Sequence, residues 1–170
     1  AGMPSHPFAE GVSMGTGTSE ERWLAQLRDR LEIEDLLTRY CAAIDAKEFD
    51  LLDQVFTADA TIDYTRSGGI RDQYPAVKSW LAKALAPFRV VQHLVTNVRV
   101  EIDGDRARSV CYFFNPMGLP QQDGGVSTFF CGGIYRDQLL RTERGWRITE
   151  RINDQLYAFG ALPPGVEPPK

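Results

Sequence analysis

The stretch that decides the fold runs from Ile33 to Tyr64 and reads IEDLLTRYCAAIDAKEFDLLDQVFTADATIDY. Apolar side chains recur at helical spacing in its first third, which predicts a helix with one buried stripe. Tyr40 lies on that stripe, so its hydroxyl needs a hydrogen-bonding partner inside the protein. Asp45 ends this helix, and a second short amphipathic helix leads into strand-like residues. The stretch therefore predicts two helices and the start of a sheet around a few buried polar groups.

The segment before this stretch, residues 1–18, is rich in Gly, Pro, Ser and Thr and has no periodicity, so we expect a mobile tail. Its GTGT fragment lacks the preceding strand and the lysine of a phosphate-binding loop, which argues against a nucleotide site. Ser19 is the predicted N-cap of the next helix. That helix either continues into the buried-stripe helix or kinks near Glu32.

After the stretch, the pattern predicts one more helix and then strands. Ala60–Thr65 is a predicted strand, and Asp72 is the predicted cap of a helix that Pro87 closes. Four longer segments alternate in the manner of β-strands: Val90–Ile102, Arg106–Asn115, Val126–Leu140 and Trp146–Tyr157. Helices first and meandering strands afterwards indicate one α+β domain at 19–157, a mainly antiparallel sheet wrapped onto three N-terminal helices. The Pro-rich residues 158–170 are a predicted tail.

The first two long strands form a hairpin around a DGD turn, and the sequence leaves its register open. A two-residue turn would set Tyr112 and Phe114 beside His93 and Val95. A three-residue turn with a bulge would instead bring Phe113 and Asn115 there. Strict alternation along the first strand places one set of side chains on the face of His93, namely Val95 and Asn97. It places the other set on the opposite face: Leu94, Thr96, Val98, Val100 and Ile102.

Composition and charge exclude several classes of protein. The 170 residues are 43% hydrophobic and 25% charged, which suits one globular domain with a sizeable core. A net charge of -4 and a pI near 5.2, without a basic cluster, argue against binding to nucleic acid or to an anionic membrane. The sequence has neither a membrane-length apolar run nor a signal peptide, so we expect a cytoplasmic protein. Cys41, Cys111 and Cys131 form no CxxC pair and are expected to be buried, reduced thiols.

Four side chains are candidates for chemistry, and each has a structural alternative. His93, the one histidine after the tail, suits proton transfer near neutral pH, but a lone histidine on a strand is more often a hydrogen-bonded core residue. Asp45 has the spacing of a capping box with Glu48. Tyr40 and Tyr64 on buried faces equally suit packing residues bonded to backbone carbonyls. One histidine and scattered carboxylates offer no spacing typical of a metal site.

Three segments together resemble a known family. They are RYCAAIDAKEFDLLDQVFTADATIDY at 39–64, VVQHLVTNVRVEIDGDRA at 90–107 and GWRITERI at 145–152. They are similar to the SnoaL-like branch of the nuclear-transport-factor-2-like superfamily, and within it to the scytalone dehydratase and bile-acid dehydratase groups. The resemblance covers roughly residues 20–157 and implies a cone-shaped curved sheet and three helices around an apolar pocket.

The resemblance also implies roles for the four candidates. Asp45 matches the aspartate that pairs with the catalytic histidine, and His93 matches that histidine. Tyr64 matches a water-binding tyrosine of the scytalone enzymes, and Tyr40 matches a catalytic tyrosine of the bile-acid enzymes. Where scytalone dehydratases carry a second pocket histidine, this chain has Asn115, which can donate a hydrogen bond but cannot shuttle a proton at neutral pH.

The implied enzyme is a cofactor-independent dehydratase or isomerase that removes a proton next to a carbonyl of a small apolar substrate, cyclic or polycyclic. Asn115 is then a substrate-binding residue, and the loop at 116–125 is a candidate lid. The expected apolar wall of the pocket comprises Trp80, Phe56, Phe88 and Phe113. The same fold also serves non-catalytic binding or subunit proteins, which is the alternative interpretation. Proteins resembling this one expose the outer sheet face to a partner subunit, so we expect a homo-oligomer, a trimer or a dimer.

Overall fold

The computed structural model describes residues 18–160, so the two predicted tails lie almost entirely outside the described residues. The helices are α1 (Ser19–Asp45) and α2 (Tyr74–Leu85), with 3₁₀ helices at Phe49–Gln54 and Thr65–Ser67. The strands are β1 (Phe56–Asp63), β2 (Arg71–Gln73), β3 (Val90–Val91), β4 (Leu94–Asp103), β5 (Arg106–Pro120), β6 (Val126–Thr142) and β7 (Gly145–Gly160). None of the helices in this part of the chain is long and apolar enough to cross a membrane.

These strands form one sheet in the order β2-β1-β7-β6-β5, and both β3 and β4 pair with the outer edge of β5. Neighbouring strands are antiparallel except β1 and β7, which run parallel. Long strands twist, and register shifts in the β1–β7, β4–β5 and β6–β7 pairs add local bends. The sheet curls into a half-barrel around the helices, so the predicted α+β cone is confirmed, with a mixed sheet.

Helix α1 runs through Glu32 without a break, because neither Gly nor Pro interrupts residues 19–45. Its N-cap is Thr18 and not the predicted Ser19. The Thr18 hydroxyl accepts from the backbone N–H of Glu21, and the Glu21 carboxylate accepts from the N–H of Thr18 at 2.7 Å, which completes a capping box. The prediction was one position late, and it placed Arg22, whose guanidinium offers donors alone, where the box needs the acceptor of an acidic side chain.

The buried face of α1 lies mainly in its C-terminal half, which packs into the concave side of the sheet. The N-terminal half leaves four large apolar side chains exposed: Trp23, Leu24, Leu27 and Leu31. Asp29 anchors this half, because its carboxylate accepts from the two terminal nitrogens of Arg141 at 2.6 and 2.7 Å and from the indole of Trp146. The hydrogen bonds from Arg141 hold the pKa of Asp29 below its ordinary value.

The segment after α1 is not the capped second helix that the sequence predicts. Phe49–Gln54 is a 3₁₀ helix whose N-cap residue, Glu48, makes no capping hydrogen bond, and Asp45 points elsewhere. A six-residue segment suits the tighter 3₁₀ pattern, which is used in short pieces. Lys47 follows α1 in the left-handed region, with a φ of 58°, and its ammonium donates to Phe88 O at 2.5 Å. This contact ties the end of α1 to the segment that follows α2.

Strand β1 and helix α2 also begin at other residues than predicted. β1 starts at Phe56, before the predicted Ala60, because its parallel pairing with β7 begins there. Asp72 does not cap α2, since it lies in β2, and its carboxylate accepts from the N–H of Gln73, which is the N-cap residue. Short strand pairing with β1 therefore overrides the capping preference of aspartate.

The turn of the β4–β5 hairpin is the shorter of the two predicted alternatives. Asp103 pairs with Arg106, which leaves Gly104 and Asp105 as a two-residue turn. Gly104 has a φ of 57°, a left-handed conformation that glycine adopts without a steric penalty.

A bulge at Asn97 then changes the register within β4. Asn97 has a φ of 54°, and the pairing with β5 shifts by one residue between Thr96 and Arg99. His93 therefore lies beside Asn115, the neighbour that the longer turn was expected to give. The predicted strict alternation is wrong for the same reason, because the bulge reverses the faces of the residues before it. The inward face comprises Val95, Val98, Val100 and Ile102.

Strands β5 and β6 extend farther than predicted, so the candidate lid at 116–125 is mostly strand. β5 continues through Met117 to Pro120 because β6 pairs with it along one edge and β3 covers the other edge. The loop between β5 and β6 is confined to residues 121–125. Most of the proposed lid therefore forms part of the wall of the half-barrel.

Candidate functional site

The site centres on Asp45, the last residue of α1, and on His93, which interrupts the sheet edge between β3 and β4. Asp45 Oδ1 lies 2.6 Å from His93 Nδ1, and Asp45 Oδ2 accepts from the backbone N–H of His93 at 2.8 Å. Two bonds to one carboxylate fix both the position and the ring orientation of the histidine. The His93 side chain is 5% exposed and that of Asp45 is 26% exposed, so the aspartate approaches from the more open side.

The local chain explains why these two residues meet. The backbone N–H of His93 is directed to a carboxylate because β3 and β4 are separated at residues 92–93, where the ladder with β5 is interrupted. Gln92 still donates to Pro116 O at 3.1 Å, which keeps the gap close to β5. Lys47 holds the segment after α2 through Phe88 O, and this fixes the start of β3 next to the end of α1.

Asn115 faces the other ring nitrogen of His93. One terminal atom of its amide lies 2.8 Å from Gln92 O and 3.2 Å from Pro116 O, so this atom is the nitrogen, which donates to both. The amide oxygen then lies 3.1 Å from His93 Nε2 and accepts from it. Because the carboxylate of Asp45 is also an acceptor, both ring nitrogens of His93 face hydrogen-bond acceptors.

Tyr40 and Tyr64 form a hydroxyl pair in the interior, with their oxygens 2.8 Å apart. Tyr135 lies beside them, and its ring centroid is 5.7 Å from that of Tyr40. We call these hydroxyls the hydroxyl row. The Tyr40 and Tyr64 hydroxyls carry two hydrogens and share one hydrogen bond, so one O–H remains for a further acceptor. Burial raises the pKa of all three hydroxyls well above the ordinary value, so they are donors at neutral pH.

A buried ion pair lies beneath this row. Arg151 and Asp137 are both buried, and the guanidinium donates to the two carboxylate oxygens at 2.7 Å each. The guanidinium carbon lies 4.1 Å from the centre of the Tyr40 ring and 4.4 Å from that of Tyr135. This positive charge opposes the effect of burial on the pKa of Tyr40 and Tyr64. The guanidinium thus supports the tyrosine rings from below, while Asp137 balances its charge.

A cavity of about 320 Å³ opens between α2 and the concave face of the sheet. Most of the predicted site residues line it: Tyr40, Tyr64, His93, Asn115, Trp80, Phe88 and Phe113. Asp45 is not in the lining and contacts His93 from behind. Trp80 lies next to Tyr64 and reaches its place over Gly69, where a Cβ atom would come within 2.6 Å of the indole.

Phe56 is the one predicted wall residue that does not line the cavity. It lies in the core, stacked on Tyr74 at 5.2 Å between ring centroids and edge-on to Tyr40 at 6.0 Å. The prediction is wrong because Phe56 opens β1 and faces the far side of Tyr40, and it supports that ring from outside the cavity.

Sequence reasoning missed the contribution of β6 and β7. Tyr135, Asn153 and Gln155 line the cavity, and Asp137 and Arg151 lie beneath it. A signal was available, because these polar residues alternate at period two on strands whose same face is otherwise buried. Buried polar residues on a strand indicate either a paired core group or a site.

Other groups near the cavity have structural explanations. Cys41, Cys111 and Cys131 are free and buried, and burial raises the pKa of each thiol, to about 11 for Cys41 and Cys131 and about 12 for Cys111. They are therefore protonated at neutral pH. Within residues 18–160, no three His, Cys, Asp or Glu side chains converge in a way that holds a metal ion.

Comparisons with known proteins agree with this architecture. A model of the SnoaL-like domain family matches residues 25–152. The uncharacterized protein Rv2910c of Mycobacterium tuberculosis is 45% identical over 134 residues, which are 79% of this chain and 90% of that protein.

Solved structures with the same fold include two from other bacteria. The Kfla4162 protein of Kribbella flavida has a TM-score of 0.72 at 29% identity, over 79% of this chain and 95% of that chain. The hexachlorocyclohexane dehydrochlorinase LinA-type3 of Novosphingobium barchaimii has a TM-score of 0.67 at 18% identity, over 85% of this chain and 96% of that chain. The second likeness concerns the fold alone.

Proposed function

The chain belongs to the SnoaL-like family, and from this we propose that it is a lyase or isomerase that removes a proton next to a carbonyl of a small apolar ring compound. In the simplest case it is a cofactor-independent dehydratase that acts on a β-hydroxy ketone. The observation that carries the proposal is the 2.6 Å contact between Asp45 Oδ1 and His93 Nδ1, with the imidazole at the wall of a largely apolar cavity.

In the proposed reaction, neutral His93 takes the proton from the carbon next to the carbonyl through Nε2. The C–H electron pair becomes the C=C bond of an enolate, and the C=O π pair moves onto the carbonyl oxygen, which takes up the negative charge. Asp45 holds Nδ1–H and stabilises the imidazolium that forms, as the aspartate does in hydrolase triads. The enolate then expels hydroxide from the neighbouring carbon, and Nε2–H returns the proton to it, so that water leaves.

The hydroxyl row is suited to the carbonyl oxygen. Its unused O–H would donate to that oxygen as the enolate charge develops. A preorganised donor of this kind typically lowers the barrier by about 3 kcal/mol in a site that excludes water. Tyr40 and Tyr64 are the proposed donors, directly or through a water.

Besides lining the cavity, Asn115 is proposed to influence the imidazole of His93, which is the base. A substrate that gives its proton to Nε2 must take the place of the Asn115 oxygen at that nitrogen. The amide oxygen favours the protonated imidazole, which is the product of proton abstraction. The proposed role of Asn115 is therefore to set the protonation state of His93.

The cavity volume limits the substrate. About 320 Å³ is at the lower end of the range for small-molecule sites, which suits one or two fused rings. The name of the LinA-type3 neighbour describes loss of hydrogen chloride, an elimination that also removes a proton and a leaving group. The proposed reaction is an elimination of the same kind, and the fold likeness gives no information on the leaving group here.

The test is exchange of the α-proton of cyclic ketones in D₂O, followed by NMR, together with loss of water from their β-hydroxy derivatives, followed by absorbance of the conjugated product. Wild-type protein should catalyse both, and His93→Ala should abolish both while the protein stays folded. Thr96→Ala, exposed on β4 three residues after His93, is the matched control. Equal exchange by wild type and His93→Ala would rule out His93 as the base.

A binding protein is the second candidate, because every polar atom of the His93 ring already has a partner within the protein. Such a protein would take up the same ring ketones without catalysing exchange. An imidazole NMR signal that stays constant between pH 4 and 9 would favour the binding protein, whereas a signal that titrates and responds to Asp45→Asn would favour the enzyme.

A further inference from the structure

Gln155 on β7 is a buried amide with unused hydrogen-bonding capacity. It is 7% exposed and lines the cavity, yet its side chain makes no hydrogen bond with any of residues 18–160. The amide nitrogen and oxygen of Gln155 are not among the unpaired polar atoms that the protein covers completely. They therefore keep some accessible surface, and the open space next to Gln155 is the cavity that it lines. An amide buried without partners is costly, and a glutamine offers two N–H donors and one carbonyl acceptor. The amide of Gln155 is therefore suited to bind a polar group of a ligand in the cavity.

Asn153 lies on the same face of β7 and borders the same end of the cavity. Ser67 donates its one hydroxyl hydrogen to Tyr64 O at 2.8 Å, so its oxygen accepts from the Asn153 nitrogen at 3.3 Å. The amide of Asn153 is thereby oriented, and its Oδ1 is left buried without a partner in the described part of the chain. Because protein covers Asn153 Oδ1 completely, Gln155 is the amide that a ligand at this end of the cavity can reach.

This end is separate from the proton-transfer groups. Gln155 pairs with Gly133 of β6, whereas Asn115, next to His93, pairs with Cys131 of β6. With strands about 4.8 Å apart and a rise of about 3.3 Å per residue, the backbone positions of Gln155 and Asn115 are roughly 12 Å apart. Side chains reach inward from both, so a molecule of one or two rings spans the gap.

We propose that Gln155 binds a hydroxyl group of the substrate that is remote from the carbon that loses its proton. A hydroxyl fits both halves of the amide, because its O–H donates to Oε1 and its oxygen accepts from Nε2. A carboxylate or phosphate does not fit, because the described residues that line the cavity include no Lys or Arg. Arg151 lies below that surface and is paired with Asp137.

This inference rests on the proposed function and narrows its substrate class to ring ketones that also carry a hydroxyl at the far end. The hydroxyl that leaves in a dehydration is a different group, since it sits next to the reacting carbon. The end of the cavity at His93 therefore requires a carbonyl with a neighbouring C–H, and the end at Gln155 independently requires a hydroxyl.

The experiment measures binding of matched ketone pairs to the full chain by calorimetry, without turnover. The pairs are 4-hydroxyacetophenone with 4-methylacetophenone, and 6-hydroxy-2-acetylnaphthalene with its 6-methyl analogue, in which a methyl group replaces the hydroxyl at similar size. The proteins are wild type, Gln155→Met and Gln138→Met. Gln138 is exposed on β6, so the same substitution there is a matched control. Thermal melts of all three verify folding.

For at least one pair, wild type and Gln138→Met should bind the hydroxyl compound about three- to tenfold more tightly than the methyl compound. Gln155→Met should lose that preference and bind the methyl compound as wild type does. The side-chain N–H signals of Gln155, assigned by their loss in Gln155→Met, should shift with the hydroxyl ligand alone. Equal affinities within both pairs in wild type, or no detectable binding of any of the four, would overturn the proposal.

The same titrations on His93→Ala separate this inference from the proposed function. A hydroxyl preference that persists in wild type and in His93→Ala, without exchange or dehydration by either, would support the Gln155 site and leave the proposed reaction wrong. Exchange that depends on His93, without any effect of Gln155→Met on ligand preference, would support the reaction and overturn the Gln155 site.

Discussion

The oxygen of the Asn115 amide lies 3.1 Å from Nε2 of His93, because the amide nitrogen is held by two backbone carbonyls. Asn115 thus presents an acceptor to the nitrogen that the proposed reaction uses as a base. The contact favours the protonated ring, and its effect is measurable as a dependence of rate on pH.

Replacing Asn115 tests this relationship with two substitutions of opposite effect. Asn115→Ala removes the acceptor, so the neutral base should persist to lower pH and the acid limb of kcat/KM should move down the pH scale. Asn115→Asp replaces the amide by a carboxylate, which favours the protonated ring more strongly, so the acid limb should move up. The measurement is kcat/KM for a cyclic ketone from pH 4 to 9. Shifts of the same sign in both variants would contradict the assigned role.

Asp45→Asn tests the partner of His93 on its other side. The variant keeps one acceptor oxygen in place of two, so either Nδ1 or the backbone N–H of His93 loses its acceptor. We expect kcat to fall by about 10²- to 10⁴-fold and the free energy of unfolding to fall by about 1–3 kcal/mol. Asp35→Asn, exposed on the same helix, is the control and should change neither. An Asp45→Asn protein with wild-type kcat would show that the carboxylate only positions the chain.

The tyrosine pair predicts a loss of rate with little loss of binding. Tyr40→Phe and Tyr64→Phe each remove a member of the hydroxyl row, and we expect each to raise the barrier by up to about 3 kcal/mol, mainly through kcat. Tyr74→Phe is the control, because the hydroxyl of Tyr74 donates to Asp53 at 2.5 Å, away from the cavity. The variants are compared by single-turnover rates and thermal melts. If both pocket variants match Tyr74→Phe in rate, the hydroxyls have only a packing role.

Asp29 predicts a component of acid sensitivity that can be isolated. Its pKa is lowered in the folded protein, chiefly by the hydrogen bonds from Arg141, so the unfolded chain binds the proton more readily. The stabilisation is present above the ordinary aspartate pKa of about 3.9 and is lost as the pH falls through the lower, folded value. Asp29→Asn should be less stable than wild type at pH 7 and should lose less further stability between pH 5 and 2.

Urea unfolding at several pH values measures this difference. Asp35→Asn should follow the wild-type curve, since Asp35 forms only an exposed pair with Arg39. An Asp29→Asn protein whose stability runs parallel to that of wild type over the whole range would show that the Arg141 contact contributes nothing to folding.

The outer face of the sheet predicts self-association. Aromatic rings of Phe114, Phe130 and Phe159 stack across β5, β6 and β7, with centroids 5.8 and 5.3 Å apart, and Phe159 is 54% exposed. Val98 and Val100 do not contribute to this face, because the bulge turns them inward. We expect a homo-oligomer, a trimer or a dimer, that Phe159→Arg weakens. Light scattering at micromolar concentration decides this, and a monomeric wild type would refute it.

The sequence predicts the main helices and the long strands, because hydrophobic periodicity can be recognised within a short segment. It predicts the proximity of Asp45 and His93 through the family resemblance of the segments that contain them. It cannot predict the neighbours of His93, since these depend on one extra residue at Asn97 in the middle of a strand with ordinary alternation. Phe56 was misplaced for a similar reason, because an apolar residue of a core strand has two faces available and only the packing of Tyr40 selects one.

The groups beneath and across the cavity were missed because they come from strands far along the chain. Arg151 and Asp137 read individually as surface charges of a hairpin, and they become a buried pair only when β1 closes over β7. Gln155 likewise becomes a cavity residue only through the curl of the sheet. Local patterns give little information on a surface that exists only after closure.

The bulge at Asn97 reverses the inward and outward alternation of side chains along the first strand of the hairpin. Between the turn and Asn97 the side chains follow one alternation, and between Asn97 and His93 they follow the opposite one. Deleting Asn97 would leave the half nearest the turn unchanged and rotate His93 away from Asp45, in a chain of nearly unchanged composition and hydrophobicity. An insertion or deletion of one residue in this strand of a related protein should therefore matter more than many substitutions. It decides whether an aspartate and a histidine at these positions can still form a hydrogen bond.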